Sequence, residues 1–179
     1  MKIFVETERL IMREIGGEDV QGIFELDSDP EVHRYLGNKP IKSMDEAKSI
    51  IRYIRKQYKE NGIGRWAVIN KATNEFMGWS GLKHETMVRK DMPYYDLGYR
   101  LKKKFWGRGI ATETSVESLK YGFQTMKLTE IFAGAHVDNI GSNKVLQKVG
   151  LQFVEIFEYD GAPHNWYKIS ASDYATLKN

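Results

Sequence analysis

The fold of this chain is decided by the stretch Trp106-Gly107-Arg108-Gly109-Ile110-Ala111-Thr112. It follows the strand-like segment Leu97-Gly98-Tyr99-Arg100-Leu101 and opens a long amphipathic helix. Glycine lets a backbone approach a ligand without a Cβ in the way, and the first N–H groups of a helix lack internal partners. Together with the helix dipole, these groups favour an anion such as a phosphate. The same pattern also fits an ordinary turn, so its meaning depends on the elements around it.

Composition narrows the class of protein. A chain of 179 residues with 41% hydrophobic and 28% charged residues is long enough for one domain with a substantial core. The net charge of +3 suits an anionic ligand without requiring nucleic acid. Cysteine is absent, which excludes disulfides, thiolate nucleophiles and cysteine-ligated metals. No apolar run has the length of a membrane span and no signal peptide is evident, so we predict a cytoplasmic protein without membrane partners.

The hydrophobic periodicity predicts an alternation of strands and helices without a linker or an internal repeat. Predicted strands cover Arg9–Ile15, Arg65–Ile69, Phe76–Leu82, Tyr94–Leu101, Ile131–Val137, Phe153–Tyr159 and Trp166–Ile169. Five helices are predicted: one after a cap at Asp19, then Pro30–Leu36, a helix from the cap Ser43 to Asn61, Arg108–Met126, and one after Asp138-Asn139. The second and third strands form a hairpin, and the helix after residue 108 connects two strands as a crossover.

Five ordered blocks carry a resemblance to a known family. They are Glu6-Thr7-Glu8-Arg9-Leu10-Ile11-Met12-Arg13, Asp29-Pro30-Glu31-Val32-His33-Arg34-Tyr35-Leu36, Asp96 to Leu101 with Phe105 to Glu113, Asn139 to Gly150, and Tyr159 to Asn165. With these blocks the chain resembles the GNAT acyltransferase superfamily, and within it the RimJ and RimL branch of ribosomal-protein N-acetyltransferases. At the phosphate loop, Trp106 stands where Gln or Arg is usual.

The resemblance implies an α/β (α+β) fold and one domain over residues 1–179, with a core of about residues 6–170. Its central sheet would be mixed and mostly antiparallel, with six to seven strands and helices on both faces. The fourth and fifth strands of that sheet would run parallel and splay apart. A splayed strand leaves backbone N–H and C=O groups unpaired, and an amide-bearing ligand can satisfy them.

That ligand is implied to be acetyl-CoA. Its diphosphate would meet the backbone of Gly107, Arg108, Gly109, Ile110, Ala111 and Thr112, and its pantetheine arm would follow Tyr99, Arg100 and Leu101. Asn139 and Asn143 complete the implied cofactor site, Asn139 either as a helix cap or as a donor to pantetheine. Lys102, Lys103, Lys104 and Arg108 would favour the phosphates, although they also fit a solvated basic turn.

The implied reaction is attack of a neutral amine on a thioester, which requires an oxyanion donor and a partner for the leaving thiolate. A backbone N–H near Tyr99 to Leu101 is the expected oxyanion donor. Many superfamily members protonate the sulfur with a tyrosine at the position that Leu146 occupies here. We therefore assign Ser142 to the thiolate, with helix capping as its alternative role, and count Asn139 with the catalytic residues.

The general base is assigned to Glu158, on the strand expected to lie beside the splay. The strand's alternation also allows a solvent-facing Glu158 with Phe157 directed inward. Its rivals are Glu85, Asp96 and His136, of which Asp96 also fits a role in binding the amine. The other histidines lack ligand spacing with carboxylates, so we predict no metal.

Several functions remain open at this point. The amine substrate could be a protein N-terminus, a polyamine, an aminoglycoside or another small molecule, and the oligomeric state, including a homodimer, is undetermined. An acyl-CoA sensor without catalysis is the alternative function, because Leu146 replaces the usual acid. A nucleotide-binding Rossmann domain is not indicated, because this chain lacks the Gly-x-Gly-x-x-Gly pattern of that fold. The basic helix Lys48 to Lys59 better fits a solvated face than a nucleic-acid partner.

Overall fold

A computed structural model describes residues 1–89 and 91–177 of the chain. The described strands are β1 (Ile3–Glu6), β2 (Leu10–Glu14), β3 (Trp66–Asn70), β4 (Phe76–Glu85), β5 (Tyr94–Leu101), β6 (Glu130–His136), β7 (Gln152–Tyr159) and β8 (Ala162–Ser170). The described α-helices are α1 (Val20–Asp27), α2 (Met44–Asn61), α3 (Ile110–Lys120), α4 (Ile140–Lys148) and α5 (Ala171–Leu177). All these strands join one sheet in the order β1-β2-β3-β4-β5-β6-β8-β7.

The sheet is antiparallel except between β5 and β6, which confirms the predicted mixed architecture. It has eight strands rather than six to seven, because Ile3–Glu6 pairs with β2 as an additional edge strand. The predicted hairpin is present, with β3 and β4 paired in antiparallel register. Because α3 connects β5 to β6, the crossover brings these two strands together in parallel.

Apolar side chains pack on both faces of the sheet. On one face, Ile15, Ile23 and Ile51 form a core with α1 and α2. On the other, a larger core includes Leu97, Leu119 and other side chains that pack with α3 and α4. Burial on both faces explains why Trp66–Ile69 of β3 is a continuous apolar run instead of an alternating one.

The sequence predicts a helix end correctly where a nearby side chain or glycine caps it. Ser43 accepts a hydrogen bond from the Glu46 backbone at 3.3 Å and caps α2, which ends at left-handed Gly62. The expected helix over Pro30–Leu36 is wrong, because these residues form irregular turns. The predicted helix over residues 108–126 is α3 followed by a π-helical turn, Tyr121–Thr125. The short helix α5 was not foreseen.

Candidate active site

The parallel strands β5 and β6 separate soon after they meet. Their register contains the single bridge Asp96↔Phe132, whereas β4 and β5 pair along the whole length of β5. Beyond Asp96, no backbone pairing joins the two strands, and the unpaired region between their carboxyl ends is called the opening below. Residues 97–101 form one wall of the opening, as the predicted splay requires.

The start of α3 lies at the mouth of this opening. Gly107 and Gly109 have left-handed φ values of 71° and 75°, which glycine adopts without steric cost. The first bond of the helix runs from the Glu113 N–H to the Gly109 carbonyl at 3.0 Å. Within the described chain, the backbone N–H groups of residues 107–112 have no acceptor. Six donors at a helix start form a site for an anion.

The unusual Trp106 has a structural role beside this loop. Its indole N–H donates to the Leu101 carbonyl at 2.8 Å, so it fixes the turn between β5 and α3. The backbone donors of the loop are untouched by this contact. The departure from the usual Gln or Arg is therefore compatible with anion binding.

Arg9 is a candidate site residue that sequence reasoning missed. Its Nε donates to Glu113 Oε2 at 2.6 Å, and Glu113 also accepts from the Thr7 hydroxyl at 2.7 Å. A Cβ placed on Gly109 would lie 3.4 Å from Arg9 Nη2, so the guanidinium lies beside the free N–H groups. Arg9 follows β1 and Glu113 belongs to α3, and the sequence carries no signal that brings them together.

The basic turn after β5 differs from expectation. Lys102 pairs with Glu25 at 2.6 Å, Lys103 lies 3.7 Å from Glu31, and Lys104 pairs with Glu75. These lysines are therefore partly neutralised by carboxylates and are not directed at the α3 loop as a group. Arg108 has no carboxylate partner within the described residues, and its guanidinium lies 5.8 Å from the Phe105 ring.

Arg100 and its neighbours on β5 divide between the two sheet faces. The Arg100 guanidinium donates to Asp27 at 2.5 Å, and His33 Nε2 lies 3.2 Å from the same Asp27 oxygen. Burial would raise the pKa of Asp27, but the His33 hydrogen bond and the Arg100 charge outweigh it and hold the pKa below its usual value. Only backbone atoms of Arg100 are thus available to a ligand on the opposite face, where Leu97 and Leu101 pack.

The first turn of α4 faces the opening from the other side. Asn139 Oδ1 accepts from the Ser142 backbone at 3.2 Å, so Asn139 is the helix cap. The alternative capping role of Ser142 is therefore wrong, and its hydroxyl contacts the Tyr99 hydroxyl instead of the helix backbone. Asn139 Nδ2 has no acceptor within the described residues, which leaves it available to a ligand. Leu146 is buried in the core and cannot replace the missing tyrosine.

The side chain of Asn143 is not available for the cofactor contact that the sequence predicts. Its Nδ2 donates to the carbonyls of His136 and Asn139 at 2.9 and 2.8 Å, and its Oδ1 accepts from Asn165 and Tyr167 at 2.8 and 2.7 Å. A side-chain amide has two donor and two acceptor positions, and all four are occupied. Asn143 thus has no side-chain position left for a cofactor, and it holds α4 against the end of β6 instead.

Glu158 is not where it was expected. It belongs to β7, the outer strand of the sheet, and both β8 and β6 lie between β7 and the splay. Its side chain is exposed, whereas Phe157 packs inward beside Trp166. The expected position beside the splay is wrong, and the catalytic role of Glu158 stays a prediction without a supporting contact.

The rival bases have different surroundings. Glu85 lies at the far end of the β4–β5 pair, and its Oε1 accepts from two backbone N–H groups. Burial would raise the pKa of Glu85, but Lys83 and these N–H groups lower it. His136 Nδ1 accepts from the Asp138 backbone at 3.1 Å, so a neutral ring carries its hydrogen on Nε2 and cannot accept a proton there.

Asp96 occupies the point where the strands separate. It pairs with the buried Arg65, and 16% of its side-chain surface is exposed. Burial raises the pKa of Asp96 despite the opposing charge of Arg65. A carboxylate with a raised pKa at the edge of an opening has the properties of a general base.

In residues 1–89 and 91–177, no group of three or more His, Asp or Glu side chains could hold a metal ion. In the same residues, no helix is both long and apolar enough to cross a membrane.

Known proteins are similar to this chain in sequence and in fold. The acetyltransferase (GNAT) domain family matches residues 9–152. The chain is 33% identical to the uncharacterized N-acetyltransferase YoaA of Bacillus subtilis (strain 168), over 83% of this chain and 82% of that protein. Its fold is similar to that of spermidine N-acetyltransferase from Vibrio cholerae in complex with CoA and spermine, with a TM-score of 0.76 and 19% identity over 94% and 99% of the two chains. It is also similar to RimL, a ribosomal L7/L12 α-N-protein acetyltransferase in complex with CoA, with a TM-score of 0.77 and 17% identity over 94% and 98%. The chain therefore belongs to the GNAT acetyltransferase family and is an acetyl-CoA-dependent N-acetyltransferase.

Proposed function

We propose that this chain, as a single domain, moves the acetyl group of acetyl-CoA to a primary amine by direct attack in a ternary complex. The observation that carries the proposal is the opening beyond Asp96 together with the six free N–H groups of residues 107–112. An unpaired strand and an anion-binding helix start match the two halves of a long donor that has amides at one end and phosphates at the other.

The residues fit acetyl-CoA in a definite orientation. The diphosphate is assigned to the backbone of Gly107 to Thr112, with Arg108 supplying positive charge and Arg9, although paired with Glu113, lying beside the same N–H groups. The pantetheine arm is assigned to the backbone of residues 99–101 and to Asn139 Nδ2. The bound donor supplies an activated acetyl group, and the protein supplies position, hydrogen bonds and a proton acceptor.

The chemical roles follow from this orientation. The acceptor arrives mostly as an ammonium ion, so it must lose a proton before it attacks. We assign this proton to Asp96 instead of Glu158, because Asp96 lies at the splay and has a raised pKa. A backbone N–H near Tyr99 stabilises the oxyanion, and the Ser142 hydroxyl donates a hydrogen bond to the leaving sulfur.

The charges on the sheet face around Asp96 favour an amine substrate with a single amino group and disfavour a polycation. Asp27 is compensated by Arg100, and Asp96 by Arg65, so neither offers an additional free negative charge. A polyamine is recognised by several uncompensated carboxylates, which this group of residues lacks. A protein N-terminal α-amine, as in the RimJ and RimL branch, or a small monoamine is the acceptor class that these charges favour.

Release of free CoA thiol from acetyl-CoA tests the proposal. A thiol reagent gives no protein background, because the chain has no cysteine. Peptides with free N-termini, monoamines, polyamines and aminoglycosides are compared at equal concentration. We expect release with a peptide or a monoamine and little with spermidine. No release with any amine, while acetyl-CoA still binds, would replace the proposal with the acyl-CoA sensor.

A further inference from the structure

A hydrogen bond between two side chains crosses the opening between β5 and α4. The Tyr99 hydroxyl donates to Ser142 Oγ at 3.2 Å, although the two residues are 43 positions apart in the chain. Tyr99 lies between Leu97 and Leu101 on the same strand face, and both leucines are buried in the core beneath α3 and α4. The alternation of a strand therefore directs the ring of Tyr99 toward α4.

Ser142 is held firmly at the other end of this bond. Its backbone N–H donates to Asn139, and the adjacent Asn143 ties the same turn to β6 through the His136 carbonyl at 2.9 Å. As the acceptor of the Tyr99 bond, Ser142 Oγ uses one lone pair and keeps its own hydrogen. Within the described residues, no acceptor takes that hydrogen.

We propose that Tyr99 is a positioning residue that orients the Ser142 hydroxyl, so that its hydrogen is directed at the sulfur of the departing CoA. This inference rests on the proposed function. In that function the backbone of Tyr99 contacts the cofactor, and the inference gives its side chain a separate role. It also accounts for Leu146, because a serine oriented from β5 supplies the hydrogen bond that the core leucine cannot.

The step balances without a new reactant. The neutral amine forms the C–N bond at the thioester carbonyl, and the oxyanion collapses with cleavage of the C–S bond. The sulfur leaves with the electron pair and receives the Ser142 hydrogen bond, while the amine's protons go to the base and then to water. The thiolate takes its own proton from water. Burial raises the pKa of Tyr99 although the Ser142 bond opposes this, so the phenol stays protonated and remains a donor.

A double-mutant cycle with Tyr99→Phe and Ser142→Ala tests the inference. We expect Ser142→Ala to lower kcat for CoA release about 30-fold and Tyr99→Phe about tenfold, with KM for acetyl-CoA nearly unchanged. The double variant should match Ser142→Ala within about twofold, because Tyr99 acts only through the serine. Tyr95→Phe is the matched control: it lies on the same strand, with its ring against His84 instead of Ser142.

The outcomes separate this inference from the proposed function. Wild-type protein that releases no CoA with any amine would overturn both. Active wild-type protein with a Tyr99→Phe variant at full kcat, with fully additive losses, or with a change confined to KM would overturn the positioning role alone. Thermal unfolding and acetyl-CoA binding of each variant are measured in parallel. A kcat loss that merely follows a lower Tm, and that Tyr95→Phe reproduces, would assign Tyr99 to stability instead.

Discussion

Replacement of Asn143 by Ala tests quantitatively whether this side chain holds α4 in place. The amide is buried and makes four hydrogen bonds between 2.7 and 2.9 Å, to two backbone carbonyls and to the side chains of Asn165 and Tyr167. Each intramolecular hydrogen bond contributes about 1 kcal/mol net, so the variant should lose about 4 kcal/mol of stability. For a chain of this size, that corresponds to a Tm lower by about 8–16 °C.

The same substitution distinguishes a structural amide from a cofactor ligand. If Asn143 holds α4 in place, the released helix start moves Ser142, and kcat should fall together with the free energy of unfolding. If it binds acetyl-CoA directly, KM for acetyl-CoA should rise while stability changes little. Urea unfolding and steady-state kinetics at a temperature well below the variant's Tm measure both quantities.

Asn165→Ala is the matched control, because it removes one bond of the network and leaves the other three. We expect a loss of about 1 kcal/mol from this variant. A loss below about 1 kcal/mol in Asn143→Ala, together with a tenfold higher KM, would refute the structural role. It would also restore Asn143 to the cofactor site.

The anion-binding loop and the base give four further predictions. Gly109→Ala should cost about 1–2 kcal/mol through strain at φ 75° and raise KM for acetyl-CoA about fivefold, whereas Gly161→Ala, at φ 74° in open space, should show the strain without the KM effect. Arg9→Ala should raise KM for acetyl-CoA about tenfold at low salt and less at high salt, and an unchanged KM would remove Arg9 from the site. Asp96→Asn should lower kcat about 100-fold in a variant that still binds acetyl-CoA, and Glu158→Gln less than about threefold; the reverse order would return the base to Glu158. Because the raised pKa of Asp96 keeps it protonated at lower pH, wild-type kcat should rise with pH through that pKa, and this limb should vanish in Asp96→Asn.

The sequence on its own determined the positions of several strands, helix starts and turns. Apolar periodicity placed β5 at Tyr94–Leu101, Ser43 marked the start of α2, and Asn139 marked the start of α4. The glycines at 107 and 109 identified the turn that exposes backbone donors at α3. These features depend on hydrogen bonds and steric limits within a few residues, which the amino-acid order specifies directly.

The tertiary structure decided which distant side chains meet. Strand order placed Glu158 on the outer strand β7 and Asp96 at the splay. Both residues lie in strands that the sequence predicts, so the sequence alone did not distinguish them. Contacts between the β1–β2 turn and the start of α3 brought Arg9 to Gly109, and the crossover brought Tyr99 to Ser142. Such contacts depend on sheet order and packing across long separations in the chain, for which a single sequence carries no local signal.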